Sequence, residues 1–174
     1  MYVCMYAAQR CLSRTINRVM PTQVLPLTIG SYQVLSDTLT ISKCLTDLNI
    51  AGNQLGLEGS SSVMRALCFN TCLTSLNMNN NAMGSDIAAT IKKTLKLNQT
   101  LKKLHLAWND LGHVGGTAVA KGVKVNTSLV HLDLSHNSLG STSGTSLEQV
   151  SSLHLCTHLY FVSSSPNYTL DHTV

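Results

Sequence analysis

The sequence predicts an α/β solenoid: a curved stack of strand–helix units, with a parallel sheet on the concave face and helices on the convex face. Three observations carry this expectation. One motif occurs four times, as LTDLNIAGNQLG from Leu45, LTSLNMNNNAMG from Leu73, LKKLHLAWNDLG from Leu101 and LVHLDLSHNSLG from Leu129. The copies start 28 residues apart, three times running. Inside each copy, apolar and polar residues alternate with the period of a strand, and between copies apolar residues recur at helical spacing.

A unit with one strand and one helix cannot bury its apolar face alone, whereas stacked units share a continuous core. Strands stack about 4.8 Å apart and helices are about 10 Å thick. The helical side is therefore the longer one, and the stack bends with the sheet inside.

In chain order, residues 1–28 carry no clear copy of the motif. They hold Pro21 and Pro26 and suggest a short helix around Met5 to Val19. They are expected to be an irregular segment that partly caps the apolar end of the stack. The repeat domain is expected over residues 29–150. Its helical columns are Tyr32, Leu35, Leu39; Ser60, Val63, Leu67; Ala88, Ile91, Leu95; and Gly116, Val119, Val123. Small residues at the first place of the later columns are expected to let the helix approach the strand layer. Asn70, Asn98 and Asn126 follow the helices, and asparagine in the left-handed conformation would end each helix.

Leu73, Leu76 and Met78 are expected to face the core, with Ser75 and Asn77 facing out. Asn53, Asn81, Asn109 and Asn137 recur after the strands, where the chain turns inside the stack. Their amides are expected to satisfy buried backbone groups that have no water. Residues 151–174 read as a degenerate repeat or tail. A fifth motif is due near position 157, and a shifted register on Leu159 and Phe161 fits slightly better. Either an irregular cap or the end of a truncated product accounts for it.

Charged residues make up only 11% of the chain, so Ser, Thr, Asn, Gln and His must build most of the polar surface. The net charge is +4 with the basic residues scattered along the sequence, which gives no nucleic-acid footprint. No run reaches the roughly 18–20 apolar residues that span a bilayer, and the N-terminus lacks the pattern of a secretory signal. The six cysteines are therefore read as reduced thiols, and the protein as cytoplasmic. Cys44 and Cys72 occupy the same place in consecutive repeats, but the reducing compartment argues against a disulfide. Three glycosylation-like triplets begin at Asn98, Asn126 and Asn167. The first two are explained by the helix-ending column alone.

The four motifs resemble the leucine-rich repeat, and the 28-residue period with a long helix resembles its ribonuclease-inhibitor-like subclass. The uniform asparagine column looks more like NOD-like-receptor-type or general intracellular members than like ribonuclease inhibitor itself. The resemblance covers about residues 30–150. It implies a horseshoe fragment whose sheet lines a concave face used for protein binding.

The outward strand positions form two columns, Asp47, Ser75, Lys103, His131 and Asn49, Asn77, His105, Asp133. Past the strand, Gly52, Asn80, Trp108 and His136 form another, next to Ala51, Asn79, Ala107 and Ser135. Asp47, Asn49, Ser75, Asn77, Lys103, His105, Trp108, His131, Asp133 and His136 are the candidate partner-binding residues. Trp108, the only tryptophan, is expected at the concave rim, where an exposed aromatic makes an anchor. The alternative is a Trp packed over its own loop. His105, His131, His136 and Asp133 carry ligand chemistry, yet a polar ladder on a solvated sheet explains them better, because zinc sites show tighter paired spacing. No metal, cofactor or catalytic residue is assigned, since no phosphate loop, nucleophile elbow or paired carboxylates occur.

The expected function is therefore a non-enzymatic protein–protein interaction module. The expected partner is a protein, with no nucleic acid, membrane or small-molecule substrate. Two readings stay open beside it: a regulator of an enzyme, as inhibitor or GTPase activator, and a truncated fragment of a longer repeat receptor.

Overall fold

The computed structural model describes residues 15–17, 29–151 and 158–160. Strands and helices alternate through them. They run β1 (Thr15–Asn17), α1 (Ile29–Ile41), β2 (Asp47–Asn49), α2 (Gly56–Leu67) and β3 (Ser75–Asn77). A 3₁₀ turn (Ser85–Ile87) then leads into α3 (Ala88–Leu97), followed by β4 (Lys103–His105), α4 (Gly112–Val123), β5 (His131–Asp133), α5 (Gly140–Ser151) and β6 (His158–Tyr160). The described strands form one parallel sheet in chain order. This is the α/β solenoid that the repeat predicts.

The register puts Leu48, Leu76, Leu104 and Leu132 in one row across the sheet. All four are buried, as are Leu73, Met78, Leu106 and Leu134 at the flanking motif positions. The helical columns close the core from the other side, with Val63, Leu67, Ile91, Leu95, Val119 and Val123 buried. β2 to β5 are only three residues long because the chain turns soon after each of them. Gly56, Gly84, Gly112 and Gly140 open the next helical segment with φ between 58° and 69°, a region that a Cβ disfavours.

Two asparagine ladders tie the repeats together. In the first, Asn81 Nδ2 donates to the Ile50, Met78 and Asn79 carbonyls at 3.0–3.2 Å, while its Oδ1 accepts the Asn53 N–H at 3.1 Å. Asn109 and Asn137 repeat the arrangement one and two units on. This is the role expected for that column.

The second ladder corrects an expectation. Asn98 sits at φ −78°, ψ 120°, and neither Asn70 nor Asn126 has positive φ, so these residues do not end helices through a left-handed turn. They work as joints between repeats instead. The amides of Asn70, Asn98 and Asn126 donate to the Leu39, Leu67 and Leu95 carbonyls, in the helix of the preceding repeat, at 2.6, 2.8 and 2.7 Å. Their Oδ1 atoms accept the N–H groups two and three residues on. A helix end leaves carbonyls unpaired, and here the next repeat supplies the donors.

The small residue at Gly116 also has a different neighbour from the one expected. A Cβ there would lie 2.8 Å from Ser143 Cβ and 2.9 Å from Leu139 Cδ2. The close approach is thus to the following helical unit, not to the strand layer. Gly122 plays the same part against Leu95 of α3, at 2.8 Å.

At the N-terminal end, Thr15–Asn17 is a strand, not part of a helix spanning Met5 to Val19. It pairs in register with β2, Ile16 beside Leu48. The rest of that expected helix lies outside the described residues. Sequence pattern could not find β1, because only Ile16 keeps an apolar motif position; Ser13 and Arg18 stand where later repeats have Leu45 and Ile50. At the other end, β6 pairs Leu159 with Leu132, which is the shifted register and makes this unit one residue shorter.

Candidate functional site: the concave sheet and its rim

The candidate residues fall into the two columns that the alternation predicts. Asp47, Ser75, Lys103 and His131 are in register across β2 to β5, and so are Asn49, Asn77, His105 and Asp133. Lys103 is exposed and the other seven are half-buried. Thr15 and Asn17 extend the columns at one end, and His158 and Tyr160 at the other.

The second column is partly occupied by its own turns. Asn49 Oδ1 accepts the Ala51 N–H at 3.1 Å, Asn77 Oδ1 the Asn79 N–H at 3.0 Å, and Asp133 Oδ1 the Ser135 N–H at 3.0 Å. These are Asx turns, in which a short side chain replaces a backbone acceptor. Imidazole has no carbonyl for this task, so His105 breaks the series. The stranded Ala107 N–H is met from the neighbouring repeat by Asn79 Oδ1, at 2.8 Å. Periodicity places Asn79 only as a surface position; the signal that would have found its role is the lone His in a column of Asx residues.

Freed from the turn, His105 joins its neighbours in the next repeat. Its Nδ1 lies 3.8 Å from Asp133 Oδ2, and its ring centroid is 4.7 Å from that of His131. Burial works to raise the Asp133 carboxyl, but His105 beside it and the Ser135 N–H and hydroxyl outweigh that effect. They hold the carboxyl down at about 2. Asp133 is therefore an anion that presents an acceptor to the concave face.

The rim column shares one backbone state. Gly52, Asn80, Trp108 and His136 all have positive φ, at 71°, 54°, 59° and 56°. Each of the first three donates its N–H to the next repeat, at the Asn79, Ala107 and Ser135 carbonyls. This geometry turns the side chain off the stack. Trp108 is 59% exposed, and its ring stacks on His136 with centroids 3.9 Å apart and 14° between planes. Trp108 thus packs on the following repeat, not over its own loop. Lys103, His105, His131 and Asp133 lie on β4 and β5, and Trp108 and His136 on the turns that follow those strands.

His136 faces Trp108, and among the described residues no three His, Cys, Asp or Glu side chains are arranged to hold a metal ion. Cys72 Sγ donates to the Lys43 carbonyl at 3.2 Å. No described helix is long and apolar enough to cross a membrane.

A family model described as Leucine Rich repeat matches residues 42–64, 69–92, 97–120 and 125–147, together more than half of the chain. The chain is a leucine-rich-repeat protein. No curated protein matches this leucine-rich-repeat chain. Among solved structures it is similar to the tropomodulin C-terminal domain of Caenorhabditis elegans, at 16% identity and a TM-score of 0.68 over 78% of this chain and 84% of that one. It is also similar to leiomodin-1 actin-binding site 2, at 19% identity and a TM-score of 0.68 over 80% and 79% of the two chains. The leucine-rich-repeat protein LegL7 of Legionella pneumophila gives 21% identity and a TM-score of 0.56, over 80% of this chain and 45% of that one. At these identities the likeness is one of fold.

Proposed function

We propose that this leucine-rich-repeat protein is a non-enzymatic binding module whose protein partner sits against the concave face, centred on β4, β5 and their rim. The observation that carries the reading is the exposed Trp108–His136 stack beside Lys103, His105, His131 and Asp133. An aromatic held in place by a stacked neighbour loses little freedom on binding, and aromatic anchors ringed by polar groups dominate protein interfaces. Asp47, Asn49, Ser75 and Asn77 extend the same surface as polar contacts. Its action is recognition on a rigid scaffold, with no bond made or broken. The partner is a protein, and neither nucleic acid, membrane nor small-molecule substrate belongs to this reading. A cytoplasmic location is part of the proposal.

One structural neighbour is an actin-binding site of leiomodin-1, so actin is the first partner to try. Co-sedimentation with purified actin, and quantitative affinity capture, should be run with the wild type and a Lys103→Ala/His105→Ala/Trp108→Ala variant. The expected result is a set of partners lost from the variant alone. An identical set captured by both proteins, with the variant folded, overturns the concave-face reading.

A further inference from the structure

The basic residues are scattered in the sequence, and the fold collects most of the described ones. In a parallel strand–helix stack, every helix C-terminus and the loop after it lie on the same edge. Arg65, Lys96 and Lys121 occupy last helical turns, and Lys43, Lys102 and Lys124 the loops that follow helices; all six are exposed. From the last turn of α1, α2, α3 and α4 to the next strand there is no carboxylate. The opposite edge carries Glu58, Asp86 and Asp110, with no Lys or Arg from the ends of β2, β3 and β4 through the first helical turn.

Helix dipoles account for part of this segregation, since cations favour C-termini and anions N-termini. They do not account for the apolar residues on the basic edge. Ile41, Phe69, Leu97 and Val125 recur at the 28-residue interval, at 70%, 70%, 52% and 49% exposure. All four consecutive repeats leave a large apolar side chain in water at this same place, with lysine or arginine in the same helix end or loop. Aligned exposed apolar residues of this kind mark interaction surfaces.

We propose that this edge is a second docking surface, and that its occupant is an acidic amphipathic α-helix of a partner protein. The spacing selects the helix. Packed helices of the stack lie about 8–10 Å apart, so the edge offers one apolar contact roughly every 10 Å. Seven residues of an α-helix advance about 10.5 Å and return nearly to the same face. A partner helix with an apolar residue at every seventh position meets all four contacts in about 21 residues. Glutamates flanking that stripe face the basic residues. Nucleic acid would use the charge but not the apolar row. An anionic membrane would take the row without regard to its spacing. A second copy of the chain would offer its acidic edge.

The test uses the full chain and two synthetic glutamate-rich helical peptides of equal composition, one with leucine at every seventh position and one with the leucines moved off that spacing. Anionic phosphatidylserine vesicles, duplex DNA and sedimentation of the protein alone are the other arms. The spaced peptide should bind at least tenfold tighter than the shifted one. Phe69→Ser/Leu97→Ser should reduce that binding at least tenfold, and Lys96→Glu/Lys124→Glu should do the same if the first variant does not fold. The Lys103/His105/Trp108 alanine variant should bind the spaced peptide like wild type. Equal affinity for both peptides overturns the proposal. So does binding to vesicles, DNA or a second copy that these edge substitutions abolish while the spaced peptide fails to bind.

Discussion

The side-chain carbonyl of Asn79 accepts the backbone N–H of Ala107 across a repeat boundary, at 2.8 Å. It does so because His105 stands where Asn49, Asn77 and Asp133 cap their own turns. Asn79→Ala leaves this buried N–H without a partner and should cost about 1–3 kcal/mol. Adding His105→Asn restores a local Asx cap and should recover most of the loss. Urea unfolding of both singles and the double supplies the cycle. Strictly additive losses would show that the two residues do not share this amide.

Asn81 holds three carbonyls and accepts the Asn53 N–H from a fully buried position. Asn81→Leu has similar volume but neither donor nor acceptor. Several orphaned backbone groups at about 1–3 kcal/mol each predict a loss of several kcal/mol. An unchanged melting temperature in the purified variant would sink the bracket role.

Trp108 combines a left-handed backbone with an exposed stack. A Cβ in that conformation costs about 1–2 kcal/mol. Trp108→Gly relieves the strain and Trp108→Ala keeps it, so the glycine variant should be the more stable of the two by up to about 1 kcal/mol. Both should lose the concave-face partner equally. If instead binding tracks stability, the anchor role of Trp108 fails.

Asp133 titrates at about 2 in the folded protein, below its ordinary 3.8. A depressed carboxyl adds stability that is fully present above the unfolded value and is lost as pH falls from about 4 towards 2. Asp133→Asn keeps an Oδ1 for the Ser135 N–H but removes this titration. Acid unfolding curves of wild type should therefore steepen between pH 4 and 2, and those of the variant should be flatter there. Superimposable curves would contradict the assignment.

The repeat made most of the fold legible. Four copies at one interval place the strand leucines, turn asparagines and outward columns of β2 to β5, because the same side chain meets the same environment in each unit. Where that sameness lapses, the pattern stops being readable. β1 keeps Ile16 but replaces its flanking apolar residues, so only pairing with Leu48 marks it as a strand. Asn70, Asn98 and Asn126 stand out as a column, yet their preference for turns suggests a local role, whereas their hydrogen bonds reach the preceding repeat.

By itself, then, the sequence determined the architecture and the identity of the two outward columns, since periodicity encodes which face a side chain takes. The tertiary structure decided what happens between units 28 residues apart. It set Trp108 on His136, His105 beside Asp133, and Asn79 under Ala107. It also gathered lysines from separate loops onto one edge with Ile41, Phe69, Leu97 and Val125. The physical reason is the same in each case. Each contact or grouping joins separate repeats, and which side chains meet there depends on the register of the stack and, for Trp108 and His136, on left-handed turns; the residue types that carry them announce neither.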